Sequence, residues 1–384
     1  MFRFLTAGES HGKCLTVIIE GLPANLGLDV GTINEDLKRR QGGYGRGDRM
    51  RIEEDRVEIT SGMRGGHTLG SPLCMTIYNR DWKDWKEIMA VGPEALLSER
   101  PVISPRPGHA DLSGAIKYGF RDIRDVLERS SARETAARVA VGSVAKIFLN
   151  EFMIKVITYV IQIGGIKSQK KLSNFSEIRE KINQSRLYCL DEETEERMIE
   201  LIDKTDEEGD SLGGVFEVVA FNLPVGLGSY VHWDRRLDGR LAQALMSIPA
   251  IKGVEIGLGF ETARLPGSLV HDEIFFGEEQ GFYRKTNRAG GLEGGVTNGQ
   301  PLILRAVMKP IPTLKKSLAS INFGTKEPTL ATYERSDVCA VPAAAVVGEA
   351  VVAIELAKAF MEKFGGDTIE EIRKSYETYL KEFD

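Results

Sequence analysis

The sequence of 384 residues lacks any apolar run long enough to cross a bilayer, and its first residues lead directly into glycine and acid without a signal-peptide core. Its four cysteines, at positions 14, 74, 189 and 339, form no CxxC pair and no disulfide-like spacing. Reduced thiols are therefore expected. These absences predict a cytoplasmic protein with no membrane partner.

Sequence motifs for metal and nucleotide sites are also missing. No HExxH, zinc-ligand or Walker A spacing occurs, so no metal is predicted. Residues 43–47, Gly-Tyr-Gly-Arg-Gly, depart from GxGxxG and follow no convincing strand, which argues against a Rossmann dinucleotide site. An apolar content of 42% and a charged content of 28% instead predict an ordinary globular protein.

Positive charge is concentrated in one glycine-rich segment, Lys38–Arg51. Six cations and one carboxylate give it a charge of +5 in a chain whose net charge is −6. Guanidinium groups bind phosphate or carboxylate bidentately, and glycine lets the backbone approach closely. Because the basic character is confined to one loop of an acidic chain, we predict a small polyanionic ligand and no nucleic acid. A solvated basic loop is the alternative.

The chain contains an internal repeat. Four blocks recur in the same order: Val17–Gly27 with Val218–Gly228, Arg56–Ile59 with Gly253–Ile256, Gly62–Leu73 with Gly291–Leu302, and Arg129–Gly142 with Arg335–Gly348. We infer a single domain, 1–384, with two halves at about 1–165 and 214–384 related by a pseudo-twofold axis. A polar stretch at about 167–213 is interpreted as a solvated peripheral insertion. A ligand site near the axis would draw residues from both halves.

The sequence pattern predicts the same order of elements in each half. Short β-rich segments are followed by a long helix of small residues that is buried on several sides. The predicted strands are Leu15–Glu20, Val57–Thr60, Leu73–Tyr78, Val215–Ala220, Val254–Leu258 and Leu302–Met308. The predicted helices are Glu134–Phe152, Ala343–Phe364 and a terminal helix from Thr368. Glycines between the strands are typical of hairpins. We therefore predict an α+β fold, with helices layered between antiparallel sheets.

Two of the five histidines lie in loops suited to proton transfer. His11 lies in the turn Gly8–Gly12, and His109 lies in the rigid loop Pro105–Asp111. Histidine titrates near neutrality, so both are candidate general acids, although turn histidines that bond to backbone are equally compatible with the pattern. The other three are predicted to be structural or surface residues: His67, His232 and His271.

Three further segments could bind an anion or a cofactor. Arg129–Thr135 places hydroxyls and guanidinium groups at the start of a long helix, where free N–H groups favour anions, although an ordinary serine N-cap is the alternative. Its repeat partner carries Asp337 where the first copy has Ser131, which suggests either proton transfer or a helix cap. Lys309–Thr313 ends a predicted strand with two prolines that fix the backbone.

Together these segments closely resemble the chorismate synthase family over essentially the whole chain apart from the insertion. The resemblance is carried by Gly8–Gly12 running into Leu22-Pro23, by Glu128–Thr135, and by Arg335–Asp337 running into Gly348–Ala350. The Gly/Arg loop, Arg106–Asp111, Gly291–Pro301 and Lys309–Thr313 also match. The β-α-β sandwich fold that this family implies agrees with the fold predicted from the pattern.

The resemblance implies a carbon–oxygen lyase of aromatic amino acid biosynthesis, acting at the last common step of the shikimate pathway. It would eliminate phosphate from 5-enolpyruvylshikimate 3-phosphate in a 1,4-anti reaction that gives chorismate. Reduced FMN is required although no net redox change occurs, because the flavin lends an electron and recovers it. NADPH or an external flavin reductase would supply the reduced flavin. The implied assembly is a homotetramer.

Residue roles follow from the resemblance, position by position. His11 would protonate the departing phosphate, His109 would protonate the flavin near N1, and Asp337 would help the flavin N5 act as base, with hydrogen bonds from Ser10 and Ser131. The implied substrate-binding residues are Ser10, Arg40, Arg46, Arg49, Arg106, Arg133 and Arg335. The implied cofactor-binding residues are Arg129, Ser130, Ser131, Pro249, Ala250, Gly294, Lys309, Pro310, Ile311, Pro312, Thr313 and Arg335, with Arg40 and Arg46 for NADPH.

Two departures from the family pattern and two alternative functions bear on these roles. Asp48 stands where glycine is expected, and it could pair with neighbouring arginines and weaken the anion grip. Pro249 replaces a common amide side chain, so only its backbone can serve a flavin. A redox flavoprotein and a non-catalytic flavin- or anion-binding module are the alternatives to the lyase.

Overall fold

Two antiparallel sheets lie on either side of a layer of helices in the computed structural model, which describes residues 2–47, 52–278, 281–334 and 336–382. The first sheet contains β1 (Arg3–Ala7), β2 (Cys14–Glu20), β3 (Val57–Ser61) and β6 (Leu73–Tyr78), and β4 (Met63–Arg64) pairs with β5 (His67–Thr68) as a separate hairpin. The second sheet contains β7 (Lys155–Ile163), β8 (Ile166–Lys167), β9 (Gly214–Phe221), β10 (Ile251–Ile256) and β15 (Leu302–Met308).

The remaining strands form three two-stranded hairpins: β11 (Ile274–Gly277) with β12 (Gly281–Arg284), β13 (Leu292–Glu293) with β14 (Val296–Thr297), and β16 (Ala319–Ile321) with β17 (Pro328–Leu330). The helices are α1 (Val30–Gln41), α2 (Asp111–Tyr118), α3 (Arg124–Ser130), α4 (Thr135–Asn150), α5 (Phe175–Gln184), α6 (Glu192–Glu207), α7 (Leu237–Met246), α8 (Gly267–Val270), α9 (Val341–Phe364) and α10 (Ile369–Lys381). Among the described residues, no helix has both the length and the apolar character to span a bilayer.

The strand order shows two pseudo-symmetric halves, but their boundary differs from the predicted one. The strand β7, expected in the first half at about 1–165, pairs with β9 in the second sheet. The first sheet runs β1-β2-β6-β3, and the second runs β7-β9-β15-β10 with β8 added outside β7. The helices α1 and α7 occupy the same place in the order of the two halves, as do the hairpins β4–β5 and β13–β14. Every strand pair within the two sheets is antiparallel, so the predicted α+β class is confirmed.

One pair of threonines repeats the same hydrogen bonds in both halves. Thr68 Oγ1 donates to the carbonyl of Pro23 at 2.6 Å and accepts the N–H of Leu26 at 2.9 Å. Thr297 makes the equivalent bonds at 2.6 and 2.8 Å to the proline and leucine of the second copy. Both threonines are buried, so each satisfies two backbone groups that would otherwise be buried unpaired. The repeat thus extends to individual hydrogen bonds.

The central helices α4 and α9 approach closely because small residues face each other. A Cβ added to Gly142 would lie 2.3 Å from the Cβ of Ala350, and one added to Gly348 would lie 2.4 Å from the Phe216 ring. Any residue larger than glycine at position 142 or 348 would therefore displace the residue that it contacts. The small-residue composition that predicted burial of these helices on several sides is therefore explained by helix–helix and helix–sheet contact.

The segment between the halves is only partly solvated. Ile178 and Ile182 of α5 are buried with Tyr159 and Val219 on the second sheet, while Met198 of α6 joins the main core. The expectation of a solvated insertion is therefore wrong for the inner face of each helix. Apolar residues at helical spacing give each of these helices one face that packs and one that is exposed.

Buried ion pairs attach α1 to both central helices. Arg39 donates to both carboxylate oxygens of Glu349, at 2.7 and 2.9 Å, and Lys146 contacts Glu349 at 2.5 Å and Asp36 at 2.8 Å. Burial by itself would raise the pKa of Glu349, but the two cations outweigh it and hold that pKa well below its usual value of 4.5. The C-terminal end of α1, which leads into the Gly/Arg loop, is thereby fixed.

We expect Gly142→Ala to lower the free energy of unfolding by about 1–3 kcal/mol, because the added methyl group forces α4 and α9 apart. Urea unfolding followed by circular dichroism measures the change. Gly239→Ala in α7 is the matched control, since its added Cβ meets nothing within 4 Å, and it should stabilise by about 0.5–1 kcal/mol. Equal effects of the two substitutions would contradict the close approach.

We expect Glu349→Gln to lower the free energy of unfolding at pH 7 by about 3–5 kcal/mol, because it leaves two buried cations with one carboxylate. A carboxyl group whose pKa is lower in the folded than in the unfolded state stabilises the fold. That contribution is complete above the unfolded-state pKa, near 4.5, and is lost as the pH falls towards the folded-state pKa. The wild-type stability should therefore fall more steeply below about pH 5 than that of the variant.

Urea titrations from pH 7 to pH 3 test this difference in slope. Glu370→Gln, which removes an exposed partner of Arg373, is the control and should change stability by less than about 1 kcal/mol. Parallel pH curves for the wild type and Glu349→Gln would show that this carboxylate does not titrate with unfolding.

Candidate active site

A cavity of about 630 Å³ lies between the two halves. Its walls come from the turn after β1, the end of α1 with the following loop, the 105–110 loop and the segment between α3 and α4. The second half contributes the segment between α7 and β10, the end of β15 with the prolines after it, and the loop before α9. A site shared by both halves is what the repeat predicts.

The cavity brings together most of the residues singled out in the sequence. They are Ser10, His11, Arg40, Arg46, Arg106, His109, Ser130, Ser131, Arg133, Pro249, Ala250, Lys309, Ile311, Pro312, Thr313 and Asp337. These residues are separated by up to several hundred positions in the chain, so the fold alone places them on one cavity.

Other predicted positions do not line this cavity. Arg129 is exposed, and its guanidinium donates to the backbone carbonyls of Thr6 and Gly8 at 3.1 and 2.9 Å. Gly294 lies in the turn between β13 and β14, and Pro310 is exposed and does not line the cavity. Three positions of the sequence hypothesis lie outside the described residues: Asp48, Arg49 and Arg335.

His11 is held in a buried pocket at one side of the cavity. Its Nδ1 lies 2.8 Å from Glu128 Oε1, and its ring stacks on Trp85 with the centroids 4.0 Å apart. Burial would raise the pKa of Glu128, but hydrogen bonds from the His11 ring and backbone and the charge of Arg124 lower it overall. The neighbouring Ser10 hydroxyl donates to Ser131 at 3.1 Å. His11 is therefore a fixed side chain, not a free turn histidine.

His109 has a carboxylate partner of the same kind. Its Nδ1 lies 2.6 Å from Asp111 Oδ1, while Arg106 Nε donates to Asp111 Oδ2 at 2.8 Å and Arg106 Nη1 donates to Thr313 at 2.9 Å. Burial opposes ionisation of Asp111, yet the hydrogen bonds from His109 and Arg106 hold its pKa well below the usual range. The loop that carries His109 is thus attached to the second half through Arg106.

Two arginines share one buried carboxylate beneath the cavity. Asp55 contacts Arg133 Nη1 at 2.5 Å and Arg40 Nη1 at 3.2 Å. Burial, with nearby Arg133 and Arg46, lowers the pKa of Arg40 to about 10 despite Asp55, so it remains charged at neutral pH. Arg133 Nη2 is buried without a hydrogen-bond partner among the described residues. Glu53 Oε2 also lies 3.9 Å from Arg133 Nη2, so the positive charge comes from the lining of the cavity as a whole. There, six arginine and lysine side chains stand against Glu334 and Asp337, which suits an anionic ligand.

Asp337 joins the Gly/Arg loop to the second half. Its Oδ2 lies 3.1 Å from Arg46 Nε, and its Oδ1 accepts the backbone N–H of Gly47 at 2.7 Å. It is not a helix cap, because α9 has Ala340 at its N-cap position and no side-chain cap there. The carboxylate that distinguishes the second repeat from the first therefore lies in the cavity beside an arginine.

Apolar side chains make up much of the remaining lining, here called the apolar wall, together with two lysines. Lys309 donates to the carbonyl of Gly108, and burial together with the charge of Lys252 lowers the pKa of Lys309. The apolar side chains of this wall are Leu127, Met246, Ile248, Ile251, Met308, Ile311 and Pro312. Sequence reasoning missed Lys252, although its place in the short β10 segment beside Pro249 and Ala250 could have pointed to it.

The donor set of the cavity fits a flavin. Its volume lies within the range of about 300–1,000 Å³ that is usual for small-molecule sites. The apolar wall can accept a planar aromatic ring, and Lys252 and Lys309 can bind a phosphate. By contrast, among the described residues no group of histidine, cysteine, aspartate and glutamate is arranged to hold a metal ion.

Comparison with known proteins agrees with this geometry. The family model described as "Chorismate synthase" matches residues 2–361. The chain is 62% identical to the chorismate synthase of Desulforamulus reducens, over 97% of each chain. It is 59% identical to that of Geobacter metallireducens, over 99% of this chain and 98% of the relative.

A solved structure described as a crystal structure of chorismate synthase is similar over the whole length. It covers 100% of this chain and 98% of its own, with a TM-score of 0.81 and 48% identity. At this identity the likeness extends beyond the fold. With two carboxylate-held histidines and a cationic cavity shared by both halves, the chain belongs to the chorismate synthase family.

Proposed function

We propose that this cavity carries out the elimination that the family name describes, converting 5-enolpyruvylshikimate 3-phosphate into chorismate and inorganic phosphate. The observation that carries the proposal is the joint position of His11, His109 and Asp337 on one cationic cavity with an apolar wall. A trianionic substrate supplies the negative charge that such a cavity needs, and a tricyclic cofactor occupies the apolar side.

The substrate would bind through its phosphate and its two carboxylates. Arg46, Arg106, Arg40 and Arg133 line the cavity, and guanidinium groups bind these anions bidentately. We propose that Arg49 and Arg335 join them, and that Ser10 adds a hydroxyl. The pairing of Arg40 and Arg133 with Asp55 holds the guanidinium planes in place before the substrate arrives, which lowers the entropic cost of binding.

The family implies a flavin cofactor, and we propose reduced FMN, which when bound would lend an electron for loss of phosphate and recover it as hydrogen leaves C6. Ser130, Ser131 and the segment Lys309–Thr313 would hold it, with the backbone of Pro249 and Ala250. Arg129 and Gly294 do not line this cavity. Their proposed contact with the flavin therefore requires that they reach the cavity of another chain in the assembly. NADPH, bound near Arg40 and Arg46, is the proposed reductant, and an external flavin reductase is the alternative source.

The proton roles follow from the fixed positions of three side chains. We propose that His11 gives a proton to the departing phosphate and that His109 protonates the flavin near N1. Both imidazoles have a carboxylate at Nδ1, which for His11 leaves Nε2 available for proton transfer. In His109, Arg106 Nη2 also lies 3.1 Å from Nδ1 and 3.4 Å from Nε2. Asp337, which accepts from Gly47 beside Arg46, would support proton removal at N5.

We also propose a single domain that assembles as a homotetramer in the cytoplasm. Large apolar side chains are exposed on the hairpin β11–β12, where Ile274, Phe276 and Phe282 are 63%, 67% and 78% exposed. Exposed apolar patches of this kind usually mark contacts between chains. The unbroken core shared by both central helices and both sheets supports one domain over 1–384.

A binding module without chemistry is the competing interpretation. It would need the cationic cavity and the apolar wall, but it would not need two buried carboxylates to orient two histidines. That arrangement costs the desolvation of both carboxylates, which favours the catalytic interpretation. A redox flavoprotein would need a net redox substrate, and no dinucleotide fingerprint in the sequence supports one.

Anaerobic turnover is the direct test of this function. With chemically reduced FMN, we expect phosphate and chorismate to appear in equal amounts, and we expect neither with oxidised FMN alone. Adding NADPH to oxidised FMN then tests whether the chain reduces its own flavin. Binding of reduced flavin without either product would support the binding module instead.

We expect His11→Ala and His109→Ala each to lower kcat by about 10²–10⁴-fold, the usual contribution of general acid catalysis. Substrate affinity should change little, because the arginines and not the histidines bind the anionic groups. The same anaerobic assay gives kcat, and equilibrium dialysis gives affinity. His67→Ala is the control, since His67 is exposed and does not line the cavity. Wild-type kcat in both variants would remove these histidines from the mechanism.

A further inference from the structure

We propose that Glu128 is a positioning residue of the reaction, which acts through His11 and never touches the substrate. The inference rests on the proposed function, because it deepens the role given there to His11. It is drawn from three hydrogen bonds between the 8–12 turn and one residue of α3, and from the side chains that close around them.

Glu128 binds both the backbone and the ring of the histidine. Its carbonyl accepts the N–H of Ser10 at 2.9 Å, its Oε2 accepts the N–H of His11 at 2.7 Å, and its Oε1 accepts from His11 Nδ1 at 2.8 Å. The backbone of the turn and the orientation of the imidazole are thus fixed by the same residue. An ordinary structural carboxylate would need only the backbone bonds to hold the turn.

The carboxylate also fixes which ring nitrogen carries the hydrogen. Since the pKa of Glu128 is lowered by its hydrogen bonds with His11 in spite of burial, the group is ionised at neutral pH and can only accept. His11 Nδ1 must therefore carry a hydrogen, and Nε2 is the nitrogen that gains and loses the transferred proton. Nε2 lies 3.9 Å from Asp81 Oδ2, which is beyond hydrogen-bond distance.

The surroundings prevent the ring from turning. Trp85 stacks on His11 with 24° between the ring planes, and Arg124 lies over the Trp85 ring at 4.9 Å. Arg124 also contacts Glu128 Oε1 at 3.3 Å and Glu334 Oε1 at 3.1 Å. Glu334 lies on the cavity wall in the second half, so the pair Glu128–His11 is braced from both halves.

The proton balance of the step keeps Glu128 unchanged. As the carbon–oxygen bond to phosphate breaks, the leaving phosphate oxygen takes the proton of His11 Nε2, and the imidazole becomes neutral. The Nδ1 hydrogen stays in its bond to Glu128, which remains ionised before and after the step. Glu128 therefore contributes orientation and charge compensation, while the transferred proton comes from His11 alone.

The test is a double-mutant cycle between Glu128 and His11 in the anaerobic assay with reduced FMN. We expect Glu128→Gln to lower kcat by about 10²-fold and to change KM by less than about threefold, because the arginines that bind substrate are untouched. In the His11→Ala background, Glu128→Gln should have almost no further effect on kcat, since it acts through the missing ring.

Two outcomes overturn this proposal alone. One is a kcat for Glu128→Gln close to that of the wild type. The other is a double variant whose kcat lies below that of His11→Ala by the same factor by which Glu128→Gln lowers the wild-type kcat. Wild-type kcat in His11→Ala would instead overturn the proton role of His11, and this proposal with it. If Glu128→Gln does not fold, Glu128→Asp replaces it in the cycle, and its shortened carboxylate should give a smaller loss of kcat with the same dependence on His11.

Glu195→Gln is the matched control. Glu195 is a buried glutamate of α6 whose Oε1 accepts the backbone N–H groups of Arg186 and Leu187 at 2.6 and 3.1 Å, and it does not line the cavity. Its loss should lower the melting temperature and leave kcat unchanged. A comparable fall of kcat in both glutamate variants would show that general loosening of the fold, not the orientation of His11, slows the reaction.

Discussion

Buried carboxylates that pair with cations hold the two halves of this chain in their catalytic arrangement. Glu349 fixes α1 through Arg39 and Lys146, and the loop that follows α1 is then joined to the second half by Asp337. A cavity that must attract anions cannot keep its cations near one another without such partners, because like charges at short distance repel. The position of the Gly/Arg loop therefore depends on Glu349, which lies away from the cavity, and on Asp337, which lines it.

The internal repeat accounts for the scaffold, and the differences between its two copies account for the site. Thr68 and Thr297 still make the same two hydrogen bonds, and both sheets keep one strand order. The cavity breaks this symmetry, since Asp337 meets Arg46 where the first repeat has Ser131 bonded to Ser10. The two copies therefore agree in the residues that pack and pair the scaffold. They differ in the cavity, where an asymmetric substrate and cofactor would require different groups on the two sides.

Much of the fold could be predicted because its signals are local. The periodic small residues of α4 and α9, and the strands bounded by glycines, require no knowledge of distant contacts. The partners of the site are different, since Glu128 lies 117 positions from His11, and Asp55 lies 78 positions from Arg133. Arg129 is a further example of a distant contact that the sequence could not show. Its position before a long helix suggested an anion site, but its side chain binds the backbone at the end of β1.

The recurrence of a carboxylate at Nδ1 of both His11 and His109 has one physical origin. A ring that transfers a proton, as we propose for both histidines, must be held in one orientation. Glu128 and Asp111 are almost completely buried, and each accepts from its ring without lining the cavity. Both imidazoles are therefore held from behind, and the guanidinium groups that line the cavity remain available for the anionic substrate that we propose.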